Sequence, residues 1–241
     1  MKLKADFHLH TSEDPYDSNI SYTARALIDT AAARGFDVLA ITNHNTITRG
    51  DSLKDYAFKR GILLIPGIEL TVQGRHIVLL NFSDSEVGRI KTVDDIKRLK
   101  GRNRLVIAPH PFFPCSHSLK NRLEENLEVF DALELTSLYF SWADFNGKAR
   151  RTAGRSGLPL IGSSDTHYLS QLGSTYSLIE AEKDVQSVIQ AVKEGRFEVV
   201  THPLAFNLKN IKMALHFTPF IPKIWYKGLH RCSSTMKRFR L

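Results

Sequence analysis

Residues 5–42, which read ADFHLHTSEDPYDSNISYTARALIDTAAARGFDVLAIT, contain the strand–helix–strand pattern that decides the fold class. Over 22–34, small and apolar residues recur at the spacing of one helix face, and Gly35 ends this helix. Short apolar runs at 5–10 and 37–42 lie on either side of it and predict strands. A strand, a helix and a second strand in this order predict a βα unit of a parallel sheet.

The alternation of short apolar runs with helical patterns continues to about residue 200. Another helix is predicted at 186–193. The remaining strands are predicted at 62–70, 76–81, 105–109, 130–135, 159–163 and 175–180. Seven or eight such units predict an α/β fold, a TIM-like barrel. Because some connections are too short for a full helix, we expect this barrel to be distorted or incomplete.

Length and composition exclude several classes of protein. With 241 residues, of which 42% are hydrophobic and 24% charged, the chain can bury the core of one sizeable soluble domain, with or without an appendage. A disordered or disulfide-stapled chain is therefore excluded. We expect no secretory signal peptide and no membrane-spanning helix, because no apolar run reaches the required length. Cys115 and Cys232 predict no disulfide framework, and we expect a cytoplasmic protein.

The net charge of +8 is confined to one end of the sequence. Residues 205–241 contain no acidic residue and eight basic ones: Lys209, Lys212, Lys223, Lys227, Arg231, Lys237, Arg238 and Arg240. The preceding residues carry 25 basic and 25 acidic groups and are neutral. This change in composition predicts a barrel over residues 1–203 and a basic, aromatic-containing tail over residues 204–241.

Six of the ten histidines fall at the ends of predicted strands. His8 and His10 lie two residues apart on a strand, so both side chains point to one face and can bind one metal ion, although two ordinary surface or core histidines remain the alternative. His44 closes the second strand, where a barrel presents its active-site loops. Glu69 ends an apolar run, and a buried carboxylate requires a cationic partner, usually a metal ion.

Further candidate ligands follow in later units. His76 opens the fourth strand, His110 follows the fifth, and Asp165 and His167 follow the seventh, two residues apart. Each position is a weak signal by itself. Their joint placement at successive strand ends predicts one metal-binding rim.

The motifs His-Leu-His-Thr, Thr-Asn-His-Asn-Thr, Pro-Gly-Ile-Glu, Pro-His-Pro-Phe and Ser-Asp-Thr-His occur in this order. In this order they resemble the motifs of the PHP (polymerase and histidinol phosphatase) family. The resemblance spans about residues 3–200 and includes Gly173 and residues 194–196. It implies a distorted (β/α)7 barrel that holds two or three divalent metal ions, commonly zinc, manganese or iron, and hydrolyses phosphoesters.

The resemblance also implies three ligand sets. The first is His8, His10, Glu69 and Asp165; the second shares Glu69 and adds His76 and His110; the third contains His44, His167 and an acidic residue. Asp14 is our choice for that residue, with Asp17 and Glu13 as alternatives, because the family's usual positions hold Pro15 and Tyr16 here. Asn43 also departs from the family, which usually has Asp before the histidine.

Other functional roles follow from the same expectations. Asp165 would orient the nucleophilic water or accept its proton, and His44 or His167 would serve as leaving-group acid if the third site is empty. His117 and Lys120, in the loop after the fifth strand, are candidates for gripping the phosphate, and an ordinary solvated loop is the alternative.

The substrate and partners stay open at this point. The leading hypothesis is a metal-dependent phosphoesterase that acts on a phosphorylated small molecule, a nucleotide or a nucleic-acid end. The alternatives are a metal-dependent amidohydrolase and a non-catalytic nucleic-acid-binding subunit on a PHP barrel. The basic tail would be a surface extension, a contact for single-stranded nucleic acid or a contact for an anionic membrane. Oligomeric state is not indicated.

Overall fold

The computed structural model describes residues 2–204, which form a mixed α/β fold around one barrel-like sheet. Apart from Leu204, the predicted basic tail lies outside the described residues, and the boundary between the two units stays a prediction. Within residues 2–204, no helix combines the length and the apolar character needed to cross a membrane.

The sheet of the described chain has nine strands. They are β1 (Lys2–Leu9), β2 (Val38–Ile41), β3 (Leu63–Val72), β4 (Arg75–Leu80), β5 (Leu105–Ala108), β6 (Ala132–Leu135), β7 (Leu160–Gly162), β8 (Thr175–Glu180) and β9 (Phe197–Thr201). Their order in the sheet is β7-β6-β5-β4-β3-β2-β1-β8-β9. Eight of these strands were predicted from the sequence to within a few residues, and β9 was not.

The prediction of a parallel sheet is wrong for part of it. β4 pairs antiparallel with both β3 and β5, and β8 pairs antiparallel with both β1 and β9. The reason lies partly in the β3–β4 turn, where Gln73 and Gly74 both have positive φ and Val72 faces Arg75. A two-residue turn of this kind can join only antiparallel strands. The α/β class and the barrel-like form are confirmed.

Helices cover the outside of the sheet. They are α1 (Ala24–Ala33), α2 (Asp51–Phe58), α3 (Asp84–Val87), α4 (Val93–Leu99), α5 (Asn121–Glu124), α6 (Gly147–Ser156) and α7 (Val185–Lys193). The predicted helix at 22–34 is confirmed as α1, whose hydroxyl cap at Thr23 accepts a hydrogen bond from the Ala26 N–H. The predicted helix at 186–193 is confirmed as α7.

The sheet is nearly closed where β7 meets β8, through a side chain and without a strand ladder between the two. The Ser177 hydroxyl accepts from the Gly162 N–H and donates to the Gly162 carbonyl, both at 3.0 Å. After β7, the chain passes the end of β1. There Leu9 forms a β-bridge with Thr166, and the Thr166 carbonyl accepts a hydrogen bond from the His10 N–H. This closure brings the segment after β7 against the histidines of β1.

Candidate metal centre

The two histidines of the first motif point into a buried cluster of carboxylates. The Nε2 atom of His8 lies 3.4 Å from both Glu69 Oε1 and Asp165 Oδ1. The Nε2 atom of His10 lies 3.4 Å from Glu69 Oε2 and from the same Asp165 oxygen. Both nitrogens are buried and have no hydrogen-bond partner among the described residues. Because buried polar atoms are normally partnered, this arrangement fits a cation between them.

Glu69 is the carboxylate that joins this cluster to its neighbours. Its Oε1 atom lies 2.8 Å from His76 Nδ1 and 3.2 Å from His110 Nε2, and its Oε2 atom lies 3.0 Å from His44 Nε2. The sequence prediction placed Glu69 at the end of a strand, but β3 continues past it to Val72 and turns into β4. This continuation presents His76 beside Glu69.

A third group of possible ligand atoms comes from His10, His44 and His167, whose nitrogens lie within 4.8 Å of one another. The rings of His44 and His167 stack on His10 at 4.5 and 4.4 Å between centroids. His167 reaches this position because Asp165, just after β7, has a φ of 50°, which turns the chain there. The segment from Asp165 to His167 is therefore not extended, and both side chains nevertheless reach the centre.

The charges of the cluster stabilise one another. Burial alone would raise the pKa of Glu69 and Asp165, but the imidazoles around them, His8 foremost for Asp165 and His76 for Glu69, hold both well below their usual range. Burial likewise opposes protonation of His44, yet Asp14 and Glu69 raise its pKa to about 10. The set is thus built to hold positive charge among ionised carboxylates.

The three acidic residues of the loop after β1 make different contacts. Asp14 is buried and accepts from the His44 N–H at 2.8 Å, and the Nδ1 atoms of His44 and His10 lie 2.7 and 3.2 Å from the same oxygen. This geometry orients two imidazoles. Asp17 instead lines the cavity, 3.6 Å from His167 Nε2, and Glu13 accepts from the Ala24 N–H at the start of α1.

Sequence reasoning missed Glu134, a buried carboxylate on β6. Its Oε1 atom lies 2.9 Å from His8 Nδ1, and its Oε2 atom accepts from the His110 N–H at 2.7 Å. It therefore fixes the ring of one candidate ligand and the backbone of another. The signal was available, because Glu134 interrupts an apolar strand just as Glu69 does.

Asn43 ties the second motif to the first. Its side-chain oxygen accepts from the Thr11 N–H, and its amide donates to the hydroxyls of Thr11 and Thr48 at 2.9 and 2.7 Å. These contacts use both the acceptor and the donor of an amide. The asparagine that stands where the family usually has aspartate therefore forms hydrogen bonds to the first motif and to Thr48.

The cluster opens into a cavity of about 500 Å³. His117, a predicted phosphate contact, lies in its wall and stacks on His76 at 4.4 Å, and burial together with His76 lowers its pKa. Lys120, the other predicted contact, lies just before α5 and is not part of the wall that the described residues form. Phe113 and Leu138 make an apolar side of the same cavity.

Comparison with known proteins agrees with this geometry. The sequence model of the family described as PHP-associated matches residues 143–197. PsfC from Pseudomonas syringae has a similar fold, with a TM-score of 0.58 and 16% identity over 90% of this chain and 97% of that one. A candidate metal-dependent phosphoesterase from Bifidobacterium adolescentis has a TM-score of 0.51 and 16% identity, over 68% of this chain and 87% of that one. The family-model match and the fold of these two proteins support a relationship to the PHP family.

Three further proteins are similar to this chain in sequence or in fold. An uncharacterised protein from Methanocaldococcus jannaschii is 30% identical over 143 residues, which are 54% of this chain and 82% of that one. A 5'-3' exoribonuclease from Haemophilus influenzae is 26% identical over 214 residues, 86% of this chain and 72% of that one. An amidohydrolase from Chromobacterium violaceum has a TM-score of 0.50 and 17% identity over 68% of this chain and 87% of that one.

Proposed function

We propose that this protein is a metal-dependent phosphoesterase that hydrolyses phosphate esters, either small phosphomonoesters and nucleotides or the ends of oligonucleotides. The observation that carries the proposal is the convergence of overlapping histidine and carboxylate groups on one cavity, with the buried Nε2 atoms of His8 and His10 left without partners. The names of the Bifidobacterium and Haemophilus relatives support the same reaction class.

We assign the donors to the three ligand groups that the family resemblance implies, with one change: Asp17 takes the place of Asp14, because Asp14 contacts the Nδ1 atoms of His10 and His44. His8, His10, Glu69 and Asp165 would hold one divalent ion, and Glu69, His76 and His110 a second. His44 and His167 would hold a third, with Asp17 as the cavity-facing carboxylate of the loop. Zinc, manganese and iron suit these nitrogen and oxygen donors. Divalent ions held there would stabilise charge on the phosphoryl oxygens and favour deprotonation of the attacking water.

The side chains of the centre supply orientation and proton transfer. Asp165 lies between His8 and His10 and would orient the attacking water. His44 and His167 lie on the cavity wall and would protonate the leaving oxygen when they hold no ion. His117, on the same wall, would donate a hydrogen bond to the phosphate. Glu134 and Asp14 would keep the imidazoles in the required orientation.

The proposal is tested by measuring phosphate release with manganese or zinc supplied. The substrate panel contains an aryl phosphate, mononucleotides, 3',5'-bisphosphates, histidinol phosphate and short 5'-phosphorylated oligonucleotides. We expect Asp165→Asn and Glu69→Gln each to lower hydrolysis at least about a hundredfold, because each removes a charged ligand. Glu128→Gln, at an exposed carboxylate that pairs with Lys97, is the matched control and should retain full activity. Near-normal turnover in both site variants would contradict the assignment.

A metal-dependent amidohydrolase is the second candidate, and the fold likeness to the Chromobacterium amidohydrolase is the observation that favours it. Amide and lactone substrates in the same panel separate the two reactions. A non-catalytic nucleic-acid-binding subunit is less consistent with the centre, because such a protein does not need its ligand positions filled. Oligonucleotide binding without hydrolysis of any substrate would support that alternative.

A further inference from the structure

The wall of the metal cavity beside Glu69 is built from two strands that are neighbours in the sheet. On β3, Thr71 follows Glu69 at the two-residue period of a strand, so both side chains point to the same face. On β4, His76 lies directly opposite Thr71 in the antiparallel ladder. All three residues line the cavity. Thr71 therefore lies about 7 Å along the strand from the carboxylate that the candidate ligand groups share.

Asn45, in the loop after β2, fixes the position of Thr71. Its side-chain oxygen accepts from the Thr71 N–H at 2.8 Å, and its amide nitrogen donates to the Thr71 hydroxyl oxygen at 3.2 Å. Its own N–H donates to the Glu69 carbonyl at 2.9 Å. Asn45 reaches these partners directly after His44 because its φ of 51° turns the chain, in a conformation that asparagine tolerates better than most residues. The two side chains form one fixed polar unit in the cavity wall, the Asn45–Thr71 pair.

The Asn45–Thr71 pair keeps hydrogen-bonding capacity for a ligand. A threonine hydroxyl has one donor and two acceptor positions, and Asn45 uses one of the acceptors. Within residues 2–204, no group accepts the Thr71 hydroxyl proton. One donor and one acceptor therefore remain on a single oxygen, and another hydroxyl group complements both. An ionised phosphate oxygen can only accept, so it would leave the acceptor position unused.

The wall around this pair suits an uncharged part of a substrate. Asn45 and Thr71 are neutral, and no lysine or arginine lines the cavity among the residues that the structure describes. The cationic groups of the cavity are its histidines, most of which are candidate metal ligands, so the charge of a phosphate would be held at the metal centre. The cavity volume of about 500 Å³ is that of pockets for ligands much larger than a phosphate group. The leaving group of a phosphoester would occupy the remaining space.

We propose that the Asn45–Thr71 pair binds a hydroxyl group of the leaving group, so that the site prefers phosphoesters of a sugar or another polyol over phosphoesters of alcohols without further hydroxyls. The Thr71 hydroxyl would donate to the substrate hydroxyl or accept from it, while the phosphate stays at the metal centre. The inference rests on the proposed function, because it assumes that a phosphoester occupies the cavity. It narrows the substrate class by making Thr71 a specificity-determining residue.

The test compares phosphate release from matched substrates that differ only in their hydroxyl groups. The pairs are glycerol 3-phosphate with propyl phosphate, and adenosine 5'-monophosphate with its 2',3'-dideoxy analogue. For the wild-type full chain, we expect kcat/KM to be at least about tenfold higher for the hydroxylated member of at least one pair. Thr71→Val keeps the branched shape that suits a strand and should remove most of this preference. Thr71→Ser keeps the hydroxyl and should retain the preference.

Two further variants separate recognition from folding. Asn45→Gly removes the side chain that orients Thr71 but tolerates a positive φ, so the preference should fall while the protein stays folded. Thr30→Val makes the matched change on α1, where the hydroxyl donates to the Ala26 carbonyl, and should keep the wild-type preference. A wild-type preference in Thr71→Val would overturn the inference. Equal losses on both members of a pair would also overturn it, because Thr71 would then contact the phosphate or only support the cavity.

Binding measurements keep the inference separate from the proposed function. If the wild-type protein releases phosphate from no substrate, the phosphoesterase proposal fails, and calorimetric titration of the manganese-loaded full chain with the same two pairs still tests the Asn45–Thr71 pair. We expect the hydroxylated member of at least one pair to bind at least about tenfold more tightly, and Thr71→Val to reduce this difference to less than about threefold. Equal Kd values within both pairs, or no binding of any member, would overturn the inference. Phosphate release that is equal within both pairs would overturn the inference alone and leave the phosphoesterase proposal intact.

Discussion

Glu134 connects two candidate ligands through one buried carboxylate. It contacts the His8 ring with one oxygen and the His110 backbone with the other, and it does not line the cavity. We expect Glu134→Gln to weaken metal affinity about 10- to 100-fold, because the neutral amide orients the imidazole less firmly and makes it less basic. The measurement is activity as a function of free manganese concentration.

The shape of that titration distinguishes positioning from a loss of folded protein. For a positioning residue, the half-saturating manganese concentration rises while kcat at saturation stays within a few-fold of wild type. Glu128→Gln should give the wild-type curve. A lowered kcat at every manganese concentration, with an unchanged midpoint, would contradict the role given to Glu134.

Asn43 offers a second test at the scale of one residue. Its oxygen accepts from the buried Thr11 N–H, so Asn43→Leu leaves that donor unsatisfied at a cost of about 1–3 kcal/mol. Asn43→Asp keeps the acceptor, and the hydroxyls of Thr11 and Thr48 can donate to it, so its loss should be smaller. Urea unfolding of the three proteins measures the order. Wild-type stability in Asn43→Leu would show that these contacts are not stabilising.

For single residues, the sequence predicted the candidate metal ligands better than the carboxylates that orient them. The two-residue period of a strand is enough to place His8 and His10 on one face. The division of work between Asp14 and Asp17 could not be predicted, because it depends on where a distant N–H, that of His44, meets the loop. Glu134 could have been found, since a lone carboxylate in an apolar strand has the same meaning as Glu69.

Among the strands, position was predictable and direction was not. The apolar runs predicted eight strands, but an apolar run does not show whether a strand lies parallel or antiparallel to its neighbours. The antiparallel turn between β3 and β4 is made by Gln73 and Gly74, a pair without the usual Asn-Gly or Asp-Gly signature. β9 was missed because its sequence, FEVVT, does not alternate strictly between apolar and polar residues. In the structure none of its residues is fully buried.

A substitution at Gly162 tests how closely β7 packs against β8 and β9. A Cβ atom there would lie 2.6 Å from Val199 Cγ1 and 3.0 Å from the Tyr176 carbonyl oxygen, so Gly162→Ala must push β7 away from β8 and β9. We expect a loss of about 1–3 kcal/mol in the free energy of unfolding, as for other overpacked sites. Thermal and urea unfolding measure it.

Gly154 is the matched control for this substitution. It lies within α6 and has no heavy atom within 4 Å of an added Cβ, so Gly154→Ala should stabilise the protein by up to about 1 kcal/mol. If both variants had the same stability, the closure between β7 and β8 would be looser than the structure shows.

Across the whole molecule, the candidate ligands are spread over most of the described chain. Some lie in strands β1, β3 and β4, and the others lie just after β1, β2, β5 and β7. A bound ion would therefore connect parts of the chain that are far apart in sequence. Without an ion, ionised carboxylates and protonated imidazoles balance one another, as the lowered pKa of Glu69 and the raised pKa of His8 indicate. Metal binding should therefore release protons.

Because the ligands converge only in the folded chain, metal should stabilise the fold by mass action. At a free manganese or zinc concentration a hundredfold above Kd, we expect a gain of about 2.7 kcal/mol for one site, seen as a rise in Tm. A chelator should reverse this rise. Glu69→Gln should lose most of the gain, since Glu69 contacts ligands of all three groups, whereas Glu128→Gln should keep it. An equal rise in Tm for wild type and Glu69→Gln would mean that the ion binds elsewhere.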